Sequence, residues 1–313
     1  MPGVKELAKH PELFSGGHRA CAGCGGTIII RQVLQAASTL DIPVVCTSST
    51  GCMEVVSTIF PYTAWRCSFM HSAFENSAAT MSGIEAAYRA HVRRKRIDRP
   101  INFIAWGGDG GTYDIGLQAL SGAVERGHRM LYICYDNQAY MNTGVQRSSA
   151  TPLGAHTTTS PAGSCIPGKV QWRKDLTEII AAHDIPYAAQ ASPSNFRDLS
   201  DKVVKALKTD GPSFMNIISS CQLGWQHDPS DTIEILRLAV DSCFWPLYEV
   251  ENGAHRLTYR PKKKKIPVKD WLERQGRFRH LFDEKCSDIV SQFQHEVDRR
   301  WERLLVRCGE DGG

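Results

Sequence analysis

A chain of 313 residues can bury a large core, as one big domain or as two. Its formal net charge of +4 is small and spread along the sequence, which argues against nucleic acid as a partner. There is no run of 18 apolar residues, so no membrane span is expected, and the opening MPGVKELAKHPELF lacks the apolar region of a secretion signal, so the expected location is cytoplasmic. Eleven cysteines, an odd number without such a signal, argue against a disulfide framework.

Residues 1–15 read as an N-terminal arm. Gly16 to Gly26, GGHRACAGCGG, follows, and Thr27 to Ala37 has a helical pattern. Cys21-x-x-Cys24 among Gly and Ala suits a tight turn around a metal; taken alone, half a zinc site or a redox pair is the commoner reading. Pro43 to Thr47 reads as a strand that ends in SSTGC. Cys52 thus sits just past a strand end, with Cys46 and Cys67 as rival third cysteines. His71 to Asn76, HSAFEN, opens a long helix reaching about Arg96, whose basic end complements the helix dipole.

Ile101 to Trp106 is an apolar run of strand length, followed by Gly107-Gly108-Asp109-Gly110-Gly111, a helical pattern from Asp114 to about Glu125, and a second apolar run from Met130 to Tyr135 that ends on Asp136-Asn137. This strand–loop–helix–strand unit puts polar residues at the carboxyl ends of two strands, where open parallel sheets bind ligands. The glycine loop offers backbone N–H groups to a phosphate. Asp109 in its middle would repel that phosphate unless a hard divalent cation stands between them. Mg2+ is commonly held in this way, by one or two side chains together with phosphate oxygens; Asp109 supplies one ligand and the Asn137 side-chain carbonyl another. A nicotinamide site is disfavoured, because Tyr113 stands where G-x-G-x-x-G needs its third glycine.

From Arg147 to Val170 the chain is rich in Ser, Thr, Pro and Gly, and an unpatterned loop of this length is usually functional or mobile. Gly163 to Val170 nearly spells a P-loop, but Val170 replaces the Mg2+-binding Ser/Thr and no strand precedes it. Trp172 to Ala182 reads as helix, Ile185 to Gln190 as strand, Asn195 to Lys208 as amphipathic helix and Phe214 to Ile218 as strand. Five strands alternating with helices predict an α/β fold, a mostly parallel sheet with helices on both faces. Cys221 follows the last of these strands in SSCQLGW. The character changes after Trp225, so residues 1–225 are expected to form the ligand-binding domain and 226–313 a C-terminal extension packing on it or on partner subunits. Within the extension, Asp231 to Cys243 reads as helix, Glu249 to Arg260 as a hairpin, Arg260 to Lys265 as a basic run in a solvated loop, and Asp270 to Arg307 as helix.

GDG followed by Asn137 after 26 intervening residues resembles the thiamine-diphosphate (TPP) signature, and DNQAYMNTG resembles the β subunit of the 2-oxoacid:ferredoxin oxidoreductases, above all the pyruvate enzymes. The CAGCG pair and the TGC turn resemble the same family, over about Gly17 to His280. The resemblance implies a TPP-binding fold in which Asp109, Asn137 and the Ala139 carbonyl hold Mg2+, and Gly108, Gly110, Gly111 and Thr143 help to bind the cofactor. It implies that Asn142 faces thiazolium and substrate, and that Glu75 in FENSA lies near the cofactor. It implies that Cys21, Cys24, Cys52 and Cys221 hold one [4Fe–4S] cluster. The implied reaction is oxidative decarboxylation of a 2-oxoacid, pyruvate first, with coenzyme A and ferredoxin. The TPP-activating Glu and further iron–sulfur clusters would then come from sister subunits.

Overall fold

A computed structural model describes residues 4–163, 166–261, 265–283 and 286–310. Residues 262–264 of the basic run read at 260–265 therefore lie outside the described residues, as does part of the P-loop-like stretch. The chain begins with a short helix α1 (Val4–Leu7), then α2 (Gly25–Ser38), strand β1 (Val44–Ser49) and α3 (Cys52–Ser57). Next come β2 (Ser68–Ser72), α4 (Ser77–Arg93), β3 (Asn102–Gly108), α5 (Leu117–Glu125) and β4 (Leu131–Asp136). After a long loop, α6 (Leu176–Ala181), β5 (Tyr187–Ala191), α7 (Phe196–Lys208) and β6 (Ser213–Ile218) complete the parallel part. The remainder is α8 (Gln222–Trp225), α9 (Thr232–Asp241), the hairpin β7 (Tyr248–Glu251) and β8 (Ala254–Leu257), α10 (Val268–Glu273) and α11 (Ser287–Arg307).

One sheet runs through the described residues in the order β2-β1-β3-β4-β6-β5-β7-β8. The first six strands are parallel, β7 pairs antiparallel with β5, and β8 antiparallel with β7. A parallel sheet covered on both faces needs strands that are apolar throughout. The strand residues sort by alternation into two cores. Ile104, Trp106, Leu131 and Ile133 pack with α2 and α7 on one face, while Phe103, Ala105, Tyr132 and Cys134 pack with α4, α5 and α6 on the other. A third core around Trp225, Trp245, Trp271, Phe278 and Phe293 joins α8 to α11 above the carboxyl ends of the strands.

Several boundaries differ from those read in sequence. The sheet has eight strands rather than five: β2 occupies Ser68–Ser72, so the long helix starts at Ser77 and not at His71. This edge strand is mostly exposed and carries no apolar run that would mark it. The helix after the glycine loop is split into a wide π-helical turn, Gly110–Ile115, and α5. Of the helix read over Trp172–Ala182, only Leu176–Ala181 forms. The helix read over Asp270–Arg307 is broken into α10, a 3-10 stretch at Gly276–Phe282, and α11. The break puts Phe278 and Leu281 into the third core. The hairpin forms as read, but as the continuation of the same sheet.

Candidate active site

Chain order puts the site between β1 and β3. From β1 the chain moves outward to β2, and from β3 it moves the opposite way to β4. Open parallel sheets bind ligands in the crevice at such a reversal. A cleft of about 330 Å³ opens there, lined by Thr50–Cys52 after β1, Gly108–Gly111 after β3, and Asn137, Ala139 and residues 140–143 after β4, with Phe74 and Tyr135 on its walls. Gly108, Asp109, Gly110, Gly111, Asn137, Ala139, Asn142, Thr143 and Cys52 thus share one cleft. Glu75 does not line it; its neighbour Phe74 does.

The glycines are there for space. A Cβ on Gly110 would enter the Tyr140 ring, whose hydroxyl donates to the Gly110 carbonyl at 2.9 Å. The Asp109 carboxylate is buried, and its Oδ2 accepts a 2.5 Å hydrogen bond from Ser148 Oγ. Its Oδ1 faces the Asn137 side-chain oxygen at 2.8 Å, and that oxygen stands 2.8 Å from the Ala139 carbonyl oxygen. Three acceptors therefore converge with no proton between them. Turning the Asn137 amide would make it a donor to both neighbours. A hard cation resolves the same conflict without turning it, because Mg2+ takes oxygen ligands close to one another in an octahedron. Burial, and after it the charge of Asp136, push the Asp109 carboxyl well above the usual carboxylate range. A bound cation reverses that preference and keeps Asp109 ionised.

Asp136, the last residue of β4, is a structural carboxylate. Its Oδ2 accepts from Tyr113 OH at 2.6 Å and from Arg173 Nη2 at 2.7 Å, and Asn216 Nδ2 donates to the same tyrosine at 2.7 Å. Tyr113, the residue in the third-glycine place, is thus a fully buried link in this network. Removing one partner of a buried ion pair strands the other. Arg173→Met should therefore destabilise the chain by about 3–5 kcal/mol in urea unfolding.

The cysteines gather beside this cleft. Gly25 N donates to the Ser220 carbonyl at 3.2 Å and Thr232 Oγ1 to the Gly23 carbonyl at 2.6 Å, which ties the Cys21–Cys24 loop to the end of β6 and to the turn before α9. Cys221 caps α8, its Sγ accepting from Gly224 N at 3.4 Å. Burial, and then the charges of Cys221, Cys24 and Cys21, push the Cys52 thiol up to about 12. Cys52 therefore feels all three of the other candidate ligands. Among the described residues, no three His, Cys, Asp or Glu side chains close on a single metal ion. A cubane spreads its four thiolates more widely than one ion does. Cys46 is buried in the core facing α2, with Cys67 Sγ 3.9 Å away, and neither lines the cleft.

Sequence reading missed Ser148, Phe74, Tyr135 and Tyr140 at the site. Ser148 lies in the loop singled out only for its length and composition, and nothing in its neighbours tells it apart from the other hydroxyls there. Lys169, of the P-loop-like stretch, is buried and donates to the Ser148 and Thr151 carbonyls.

Residues 49–217 match the family described as thiamine pyrophosphate enzyme, C-terminal TPP binding domain, so fold and site together define a TPP-enzyme domain. Pyruvate synthase subunit PorB of Thermotoga maritima is 52% identical over 310 residues, covering 97% of this chain and 95% of that protein. The subunit of the same name from Methanocaldococcus jannaschii is 53% identical, covering 94% and 96%. Ketoisovalerate oxidoreductase subunit VorB of Pyrococcus abyssi is 44% identical, covering 94% and 92%. The chain belongs to the PorB family, the TPP-domain β subunits of hetero-oligomeric 2-oxoacid:ferredoxin oxidoreductases. A solved 2-oxoglutarate:ferredoxin oxidoreductase from Magnetococcus marinus shares the fold, with a TM-score of 0.55 at 21% identity over 74% of this chain and 80% of that one. No described helix is long and apolar enough to cross a membrane.

Proposed function

We propose that this chain binds TPP-Mg2+ and one [4Fe–4S] cluster in an enzyme that oxidatively decarboxylates pyruvate with coenzyme A and reduces ferredoxin. The observation that carries this reading is the shared cleft: Asp109 and Cys52 line the same walls. Asp109, Asn137 and the Ala139 carbonyl are the Mg2+ donors, and Cys21, Cys24, Cys52 and Cys221 the cluster ligands. Bound TPP supplies the electron sink for the carbanion left when CO2 departs. This chain's own part is to anchor the diphosphate through the cation, to hold a polar group over the substrate and to keep an electron acceptor close. Among the described residues, Asp109 is the only carboxylate lining the cleft. A metal-bound Asp109 is unavailable as an acid, so the Glu that activates the aminopyrimidine belongs to a sister subunit.

Asn142 is exposed on the cleft, and its side chain makes no hydrogen bond to another described residue. That leaves its amide free to donate to a substrate oxygen as negative charge develops there. Removing a preorganised donor of this kind typically costs roughly 10²-fold or more in turnover. Asn142→Ala should slow pyruvate oxidation by about that factor with TPP and iron content unchanged; near-wild-type turnover at full occupancy would leave the substrate chemistry wholly to the partner.

The deciding experiment is anaerobic purification of the whole complex with metal, sulfide and TPP analysis, followed by coenzyme A-dependent ferredoxin reduction. Four irons with sulfide on this chain, TPP, and turnover of pyruvate support the proposal. One zinc without TPP would make the chain a scaffold subunit. The similarity to the ketoisovalerate subunit favours a second reading, the same chemistry on a branched-chain 2-oxoacid, and the ratio of turnover on 2-oxoisovalerate to that on pyruvate decides it.

A further inference from the structure

Arg277 is a buried cation with no carboxylate among its hydrogen-bond partners in the described residues. The residue is 2% exposed, and every hydrogen bond its guanidinium donates to the described residues goes to a neutral amide oxygen: Nη2 to Gln138 Oε1 at 2.5 Å and to Gln275 Oε1 at 2.7 Å, and Nε to Gln275 Oε1 at 3.0 Å. Buried charges are ordinarily paired, because an isolated ion out of water costs several kcal/mol. The two buried carboxylates in this region have other partners: Asp136 is paired with Arg173, and Asp109 is held by Ser148 and the proposed cation.

The guanidinium lies 4.1 Å from the centre of the Trp225 ring. Trp225 closes α8, and its backbone N–H donates to the carbonyl of Cys221, the residue that caps that helix. The Arg277 backbone is fixed against the same turn: Gly276 N donates to the Gln226 carbonyl at 3.1 Å, and a Cβ on Gly276 would stand 2.6 Å from Gln226 Oε1. Burial weakens the protonated guanidinium, and the first group opposing that loss is Cys221, ahead of Asp136 and Asp109. A cation is thus built against the ring that closes the short helix capped by one proposed cluster ligand.

We propose that Arg277 is the built-in counter-charge of the iron–sulfur cluster and raises its reduction potential. The inference rests on the cluster reading above. Four thiolates around an iron–sulfur core carry net negative charge, which increases on reduction. A fixed positive charge beside α8 therefore favours the reduced state, and its low-dielectric surroundings leave the attraction poorly screened. The aromatic face of Trp225 and the two glutamines hold the guanidinium in place without neutralising it. Arg277 is a positioning and tuning residue, with no contact to substrate required of it.

The test is an EPR-monitored redox titration of the whole complex carrying Arg277→Gln, with Arg277→Lys alongside. With iron, sulfide and TPP contents equal to wild type, Arg277→Gln should disfavour cluster reduction tenfold or more, a drop of about 59 mV for a one-electron couple. Arg277→Lys, which keeps the charge, should recover most of it. An unchanged potential in Arg277→Gln with the cluster present would overturn the proposal. Wild-type complex lacking iron on this chain would instead sink the cluster reading itself. Should Arg277→Gln fail to retain the cluster, amide exchange over residues 276–282 in wild type decides: faster exchange once the cluster is removed supports the counter-charge, and unchanged exchange overturns it.

Discussion

Asp109→Ala should yield a complex without TPP or Mg2+. The carboxylate contributes one of three converging oxygens, the others being those of Asn137 and Ala139, and it alone carries a formal charge. Without it, a divalent cation would rest on two neutral carbonyls and the diphosphate, while Ser148 would lose the acceptor of its 2.5 Å bond. Magnesium gives up water reluctantly and is ordinarily held through one or two carboxylates together with phosphate oxygens, so loss of the only carboxylate that lines the cleft among the described residues should empty the cofactor site. The expected result is TPP occupancy near zero after gel filtration, with turnover lost in proportion and the iron content retained. Full TPP and Mg2+ occupancy in the variant would remove the central assignment. Asp109→Asn, which keeps the shape and an oxygen, should retain part of the binding at raised Mg2+.

Cys52→Ser should remove the cluster or move its potential. Serine offers a hydroxyl in place of a thiolate, and the potential of such clusters depends on ligand and surroundings. Cys52 is the candidate ligand that also lines the cleft, so its loss should uncouple the proposed cluster from the proposed cofactor site most directly. Expected are a fall in iron and sulfide per chain, or a shifted EPR signal, with reduction of ferredoxin abolished. Cys286→Ser, on the third core next to α11, should leave iron unchanged. A Cys52→Ser complex with normal iron and an unaltered spectrum would shift attention to Cys46 and Cys67, against the burial of Cys46 in the core facing α2.

The glycine loop, Asp109, Asn137 and the strands around them were legible because each is a local feature. A strand buried on both faces must be apolar along its whole length, and a chain turning sharply at its end must carry glycine. The runs Ile101–Trp106 and Met130–Tyr135 show the first property, and Gly107–Gly111 shows the second. Strand β2 was not legible, since an exposed edge strand needs no apolar run. Nor was the break of the last helix at Gly276–Phe282, where a single glycine marks the bend and the third core takes up Phe278 and Leu281.

Sequence alone determined the fold class, the positions of the cofactor loop and the four cysteines worth testing, through patterns confined to short stretches and a family resemblance that those stretches carry. Tertiary structure alone decided what those residues face. It placed Cys52 and not Cys46 on the cleft, gave Asp109 its hydroxyl partner in Ser148, and set the guanidinium of Arg277 against the Trp225 ring of α8. The physical reason is that charge and hydrogen-bond partners depend on separations through space. Asp109 and Ser148 stand 39 positions apart in sequence and 2.5 Å apart in space, and no periodicity along a chain records the second number.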